Sequence, residues 1–358
     1  MYVFDPPSVP GWAAGRGMLQ ARTSPGKESA VVTRTDATVK VARIPATIVL
    51  VGPTAVGKSR LALQLAQEFG ADILTADSRQ VYRYMDIGTA KASREEQAAV
   101  RHYMLDLVAP DEGYSAERFR REGLGVLRRI AVEGRVAIVA GGTGFYLRAL
   151  LDGPAVANAP PDPGIRARLQ AELADHGPHA LHERLVGLDP ASAHRVHPHN
   201  IPRLIRALEV VEQSGGPVPP IPAGTSVPAL HLGLRMDRHM LWEVANRRVV
   251  AQFEAGLAEE TGALLAMGYT AEMPPLAGFA YRQALDYLTG RLSHTQAIAE
   301  YQLATRQYIR RQMTWFRQDD RITWLESDSG AFSRACQLIS TYLTTAASDA
   351  PASMAGEE

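Results

Sequence analysis

The run Gly52-Pro53-Thr54-Ala55-Val56-Gly57-Lys58-Ser59 fits the pattern G-x-x-x-x-G-K-[ST]. These residue types in this order suit one task, gripping a diphosphate or triphosphate. Gly52 and Gly57 let the backbone wrap closely around phosphate oxygens. Unpaired N–H groups at a helix N-terminus point at the anion, and the helix dipole adds to the attraction. Lys58 neutralises charge, and the Ser59 hydroxyl is suited to ligate Mg²⁺. A glycine-rich strand-to-helix turn without a ligand is the bland alternative, and both the spacing and the flanking elements speak against it. The loop does not identify a reaction, because ATPases, small kinases and other transferases share it.

The residues after the loop narrow the chemistry. The segment Ala76 to Tyr82 contains Asp77, Ser78, Arg79 and Gln80 at the end of a short apolar run. A strand end facing a phosphate loop is where a carboxylate that activates an acceptor belongs. Asp77 is the candidate. It reads equally well as an N-cap or turn aspartate, and spacing alone leaves the two readings even.

These residues need a scaffold, and the hydrophobic pattern supplies one. Ala46–Val51 is a continuous apolar run of the kind found in buried parallel strands. A helix is expected from about Lys58 to Phe69, with Leu61, Leu65 and Phe69 on one side. Further strands are expected at 72–75, 103–108, 136–140, 231–236 and 322–325, with helices at 115–133, over most of 238–318 and at 330–346. Alternating strands and helices predict an α/β fold: a P-loop NTPase-like parallel sheet flanked by helices. From 154 to 230 the pattern is helical and broken by Pro160-Pro161, Asp189-Pro190 and Pro217 to Pro220, which predicts an all-helical inserted subdomain. The catalytic core is thus expected over 45–153 and 231–346. Residues 1–44 lack helical or strand periodicity and are expected as a disordered leader, with 347–358 as a loose tail.

Bulk properties exclude several classes. Lys+Arg and Asp+Glu both number 38, so any basic surface must be local. Cys336 is the one cysteine, which leaves no intramolecular disulfide and no cysteine-rich zinc site. No apolar run approaches a membrane span. A cytoplasmic, monomeric protein without membrane attachment is expected.

The chain resembles the tRNA dimethylallyltransferase (isopentenyltransferase) family. The resemblance rests on the P-loop, on Asp77-Ser78-x-Gln80-x-Tyr82, on Asp86 to Lys91, and on Leu105-Asp106. It continues through Tyr114 to Phe119, Gly141-Gly142-Thr143-x-x-Tyr146, Asp189-Pro190 and Arg203 to Glu209. The last matches are Tyr281-Arg282-Gln283, Thr305-Arg306-Gln307 and Arg311 to Arg317. They run from about 47 to 326 and are far more specific together than the loop alone. The family moves a dimethylallyl group from dimethylallyl diphosphate to N6 of adenosine-37, beside the anticodon of tRNAs that read codons beginning with U. The resemblance implies that Gly52 to Ser59 hold the donor's diphosphate with Mg²⁺ as cofactor. It implies Asp77 as general base, Thr143 near the reacting centre, and Arg248 as a further diphosphate ligand. For the tRNA anticodon stem-loop it implies contacts from Asp77, Ser78, Arg79, Gln80, Thr143 and Arg166. Two more contact segments are Pro202, Arg203, Leu204, Ile205 and Arg206, and Ala277, Gly278, Phe279, Ala280, Tyr281 and Arg282. Two acid-free basic stretches agree, with three Arg and three His in 194–206 and four Arg in 301–317.

The chain departs from the family in three places. Ala280 stands where the family usually has Gly, a change expected to tighten the tRNA path or shift the loop. Around Arg248 one Arg and one Asp of the usual pattern are missing, with Arg247 or Arg238 as candidates to compensate. There is no Cys/His zinc finger, unlike eukaryotic relatives, so the chain looks like a bacterial form. The histidines at 194, 197 and 199 have metal-like spacing but read as surface or RNA-facing. Trp315 and Trp324 read as core, and Cys336 as buried. The rival functions are an adenylate isopentenyltransferase acting on free AMP, ADP or ATP, a P-loop nucleotide kinase or ATPase, and a non-catalytic RNA-binding protein.

Overall fold

The computed structural model describes residues 44–153, 162–219 and 226–348. The expected leader falls outside these apart from Ile44. The last helix reaches Ser348, and the rest of the expected tail lies outside.

Six strands form one sheet in the order β3-β2-β4-β1-β5-β6, and every pairing is parallel. They are β1 (Thr47–Val51), β2 (Asp72–Ala76), β3 (His102–Tyr103), β4 (Ala137–Gly141), β5 (Ala229–Arg235) and β6 (Thr323–Glu326). Alternation along β1 splits its side chains between two cores. Val49 and Val51 face helices α3 (Ala116–Val132) and α4 (Gly144–Asp152). Ile48 and Leu50 face α1 (Lys58–Glu68) and α12 (Ala331–Ser348). Both faces are covered, so β1, β2 and β4 are buried along their whole length and read as apolar runs rather than as alternation.

The expected strand at 103–108 stops after Tyr103. Met104 and Asp106 both adopt positive φ, 67° and 54°, which no strand can carry. Asp106 is fixed by the nearly buried Lys91 ammonium at 2.6 Å, which also bonds Asp86 and the Tyr82 carbonyl. Val108 rejoins by a single parallel bridge to Tyr82.

Between β4 and β5 lie α5 (Pro163–Leu188), α6 (Pro190–Arg195) and α7 (Ile201–Ser214), which share a separate hydrophobic core. Helix α5 breaks at Gly177, whose φ of 76° and ψ of 173° precede Pro178. The long helical region of the second half contains α8 (Arg238–Glu254), α9 (Leu257–Ala266), α10 (Tyr281–Leu288) and α11 (His294–Phe316). The far part of α8 with α9, α10 and the start of α11 encloses a further apolar cluster that includes Met85, Tyr281 and Tyr301. Trp315 and Trp324 are partly buried against the sheet core. Among the described residues no helix is long and apolar enough to cross a membrane.

Candidate active site

Three loops converge because three neighbouring strands end together. The phosphate loop follows β1, Asp77 follows β2, and Gly142-Thr143 follow β4, and these strands are adjacent in the order β2-β4-β1. The C-terminal edge of such a sheet is where ligands of parallel α/β folds bind. A cavity of about 360 Å³ opens there, lined among others by Thr54, Lys58, Ser59, Asp77, Arg248 and Tyr308.

The loop's shape depends on its glycines. Gly52 has φ 142°, and a Cβ there would sit 2.5 Å from the Leu234 carbonyl oxygen. Gly57 has φ 98° and opens α1 without a side-chain cap. The first amides of α1 are therefore left for a ligand, as an anion cradle requires. Pro53 and Val56 are buried, so they shape the loop rather than meet a ligand with their side chains. The Ser327 hydroxyl donates to the Val56 carbonyl at 2.7 Å and ties the loop to the end of β6.

Two cations, Lys58 and Arg248, stand close together at the loop. Lys58 Nζ donates to the Pro53 carbonyl at 2.7 Å. Burial and then the nearby Arg248 guanidinium lower its pKa to about 7, against the opposing pull of Asp77. Arg248 donates through Nη2 to the Thr54 hydroxyl at 2.6 Å, while its buried Nε has no partner. A buried donor left unpaired beside a second crowded cation marks a place where negative charge belongs. Arg247 is exposed, and Arg238 lies over the Trp242 ring at 4.3 Å, so Arg248 alone of the three lines the cavity.

A diphosphate in this cradle favours the charged form of Lys58. Between the free pKa of about 7 and the ordinary lysine value, binding must then take up a proton, and affinity must fall as pH rises. At about pH 8, titration calorimetry in buffers of different ionisation heat should show more proton uptake for the wild type than for Lys58→Met. Equal uptake in the two proteins would contradict this.

The acceptor wall is built by short-range bonds. Asp77 Oδ1 accepts from the Arg79 N–H at 2.9 Å, an Asx turn that leaves Oδ2 for a substrate. Thr143 accepts from the Ser78 N–H at 3.0 Å and donates to the Ser78 hydroxyl at 3.3 Å. Gln80 donates to the carbonyls of Thr89 and Ala90 and holds the segment that closes one side of the cavity. That segment is anchored from behind by Glu260, whose carboxylate accepts from the N–H groups of Asp86, Ile87 and Gly88 at 2.8, 2.8 and 3.1 Å. The Tyr281 hydroxyl completes the set at 2.7 Å.

Ser59 is exposed at the mouth of the cavity, and its hydroxyl shares that cavity with the Asp77 carboxylate. The Ser59 hydroxyl fits Mg²⁺, which is held by one or two side chains together with substrate phosphates. Among the described residues no group of three or more His, Cys, Asp or Glu could form an all-protein metal cage. The same holds for the histidines at 194, 197 and 199; the His197 and His199 rings lie 5.5 Å apart.

Of the residues expected to face tRNA, several turn inward. Leu204 is fully buried and Ile205 nearly so, on the face of α7 that packs against α5. Pro202 and Arg203 are exposed on the other face. Arg166 and Arg206 both grip the buried Glu209, at 3.0 and 2.7 Å, which also accepts from the Asp162 N–H. Burial pushes the Glu209 carboxyl up, but these donors hold it below the usual range. Both arginines therefore carry a structural bond whatever else they touch. Ala280 and Tyr281 are fully buried, whereas Ala277 and Arg282 are exposed, with Gly278 and Phe279 between these extremes. Arg79 donates to the Pro275 carbonyl at 2.8 Å and stacks over Phe279 at 5.2 Å, and a Cβ at Gly278 would collide with its guanidinium.

The Ala280 methyl is fully buried. The departure shows as backbone strain: Ala280 sits at φ 75°, ψ −71°, a region that favours glycine. Such strain costs about 1–3 kcal/mol. Ala280→Gly removes it but adds about 0.4–1 kcal/mol of chain entropy and loses about 0.8 kcal/mol of buried methyl. The expected net is about 0.5 kcal/mol of stabilisation in urea unfolding, whereas Ala280→Val should lose more than about 2 kcal/mol. A glycine variant less stable than wild type by more than about 0.8 kcal/mol would contradict the strain.

Two lining residues, Tyr308 and Gln312, were not singled out by sequence reasoning. They lie on α11 four residues apart, along its buried face with Tyr301, Thr305, Ile309 and Phe316. A glutamine on the core face of a helix was the available signal, because a buried amide needs partners.

Fold and site together define a P-loop-like α/β protein in which a glycine-rich loop and a carboxylate-bearing segment line one cavity. The sequence profile of the IPP transferase family matches residues 80–319. The tRNA dimethylallyltransferase of Thermomicrobium roseum is 41% identical over 281 residues, covering 78% of this chain and 85% of that protein. That of Syntrophotalea carbinolica is 42% identical over 308 residues, covering 84% and 97%. Among solved structures, the tRNA isopentenylpyrophosphate transferase of Bacillus halodurans aligns at TM-score 0.61 and 31% identity, over 84% of this chain and 99% of that one. A eukaryotic dimethylallyltransferase captured acting on tRNA aligns at TM-score 0.69 and 25% identity, over 84% and 80%. The chain belongs to the IPP transferase family.

Proposed function

We propose that this chain is a tRNA dimethylallyltransferase that moves the five-carbon group of dimethylallyl diphosphate to N6 of adenosine-37 in tRNAs reading UNN codons. The reading is carried by one observation: the phosphate loop, Asp77 and Gly142, the neighbour of Thr143, line a single cavity at the ends of adjacent strands, in a member of this family. The adenine amine is a poor nucleophile, and the allylic C1–O bond breaks readily once its leaving group is stabilised. Lys58, Arg248 and the free amides of α1 lie where diphosphate charge develops. The C1–O bond breaks with its electron pair going to diphosphate, the C1–N6 bond forms, and the N6 proton passes to Asp77. Thr143 and Ser78 hold the acceptor edge in line. Ser59 would hold Mg²⁺, which would neutralise diphosphate charge.

The target base must leave its stack to reach this cavity. Exposed Arg203 and Arg282 and half-buried Arg79 would meet the anticodon arm. An anticodon stem-loop with adenosine at position 37 should accept the label from dimethylallyl diphosphate, and the same stem-loop with guanosine there should not. Equal labelling of both would remove adenosine-37 as the target.

A further inference from the structure

Gln312 is 5% exposed, and its amide joins two separate parts of the site. Oε1 accepts from the Thr54 N–H at 2.8 Å, in the middle of the phosphate loop. Nε2 donates to the Gly142 carbonyl at 3.0 Å, one residue before Thr143. The fit is close: a Cβ at Gly142 would collide with Nε2. Thr54 in turn receives the Arg248 guanidinium at 2.6 Å. One buried amide thus links the cradle, with Arg248, to the wall that carries Thr143 and, through Ser78, neighbours Asp77.

We propose that Gln312 is a positioning residue that fixes the separation between the diphosphate cradle and the acceptor wall, and so the reach from the donor's C1 to the acceptor nitrogen. The inference rests on the transferase reading. The Thr54 amide is committed to Gln312, so other loop amides, Lys58 and Arg248 hold the diphosphate. Losing Gln312 leaves those ligands in place but frees the cradle to drift. A misplacement of about 1 Å costs about 10²-fold in rate. The effect therefore falls on turnover and not on diphosphate affinity.

Gln312→Met keeps similar volume and removes both bonds. Its kcat with tRNA and dimethylallyl diphosphate should fall about 10²-fold, while the Kd for inorganic diphosphate stays within about 3-fold of wild type. Gln312→Glu supplies a second readout. Ionised, its carboxylate accepts from Thr54 but repels the Gly142 carbonyl. Protonated, it donates to Gly142 and accepts from Thr54 as the amide does. Its kcat relative to wild type at the same pH should climb as pH falls, a trend the methionine variant lacks. Should Gln312→Met fail to fold, the glutamate profile decides alone. Turnover of Gln312→Met within about 3-fold of wild type would overturn the inference. So would diphosphate affinity lost by the same factor as turnover, or a flat glutamate-to-wild-type ratio across pH. A wild-type chain that transfers no prenyl group would overturn the transferase reading and the inference with it.

Discussion

Asp77→Asn is expected to lower single-turnover prenyl transfer by about 10²–10⁴-fold while tRNA affinity changes no more than a few-fold. The replacement is well matched to the question. Asparagine keeps an oxygen for the Arg79 N–H that Asp77 Oδ1 now holds at 2.9 Å, so the turn after β2 survives. What it loses is the ability to take a proton from the attacking amine. It also removes a negative charge that faces Lys58 and partly offsets the crowding of Lys58 by Arg248. Donor binding should therefore hold or tighten while chemistry slows. Equal losses in turnover and tRNA affinity would make Asp77 a binding residue only.

The second large effect is expected at Lys58. Lys58→Met should reduce kcat/KM for dimethylallyl diphosphate by about 10²–10³-fold, the scale seen when one preorganised charge donor is removed from a transition state. The loss is not a folding defect. A lysine pushed down to about 7 by burial and a neighbouring guanidinium costs stability in its charged form. The sign comes from linkage: the unfolded chain holds that proton more tightly, so Lys58 disfavours folding below its unfolded pKa, most strongly below about pH 7. Methionine removes this penalty, and the thermal midpoint near neutral pH should stay level or rise. A variant that keeps its activity, or that loses activity and midpoint together, would contradict a role in charge stabilisation. Lys58 thus trades stability for charge at the site.

Much of this site was legible in the chain, for physical reasons that differ from residue to residue. Strands β1, β2 and β4 are covered on both faces, so each is an apolar run, and the phosphate loop between β1 and α1 carries its own geometry in Gly52 and Gly57. Asp77 illustrates what spacing cannot separate. A turn aspartate and a catalytic carboxylate look identical in sequence, and here one oxygen makes the turn while the other is left for substrate. The strand expected at 103–108 failed because Met104 and Asp106 take positive φ, and Asp106 is held there by Lys91, a partner outside the segment. Leu204 and Ile205 sat in a matched segment whose helix turns half its residues inward, so only Pro202 and Arg203 of that run are exposed. Gln312, and Glu260 in its bonds to residues 86–88, owe their roles to partners 170 or more positions away, which no periodicity reveals.

The central claim is that Gly52 to Ser59 hold a diphosphate that leaves, while a carbon chain moves to tRNA. It is tested most directly by incubating the protein with labelled dimethylallyl diphosphate and unmodified tRNA, beside AMP and ATP, and measuring labelled adenine and released diphosphate together. The predicted result is label on tRNA adenine alone, with one diphosphate released for each group transferred. Label on free nucleotide only, or ATP hydrolysis without label transfer, would contradict it.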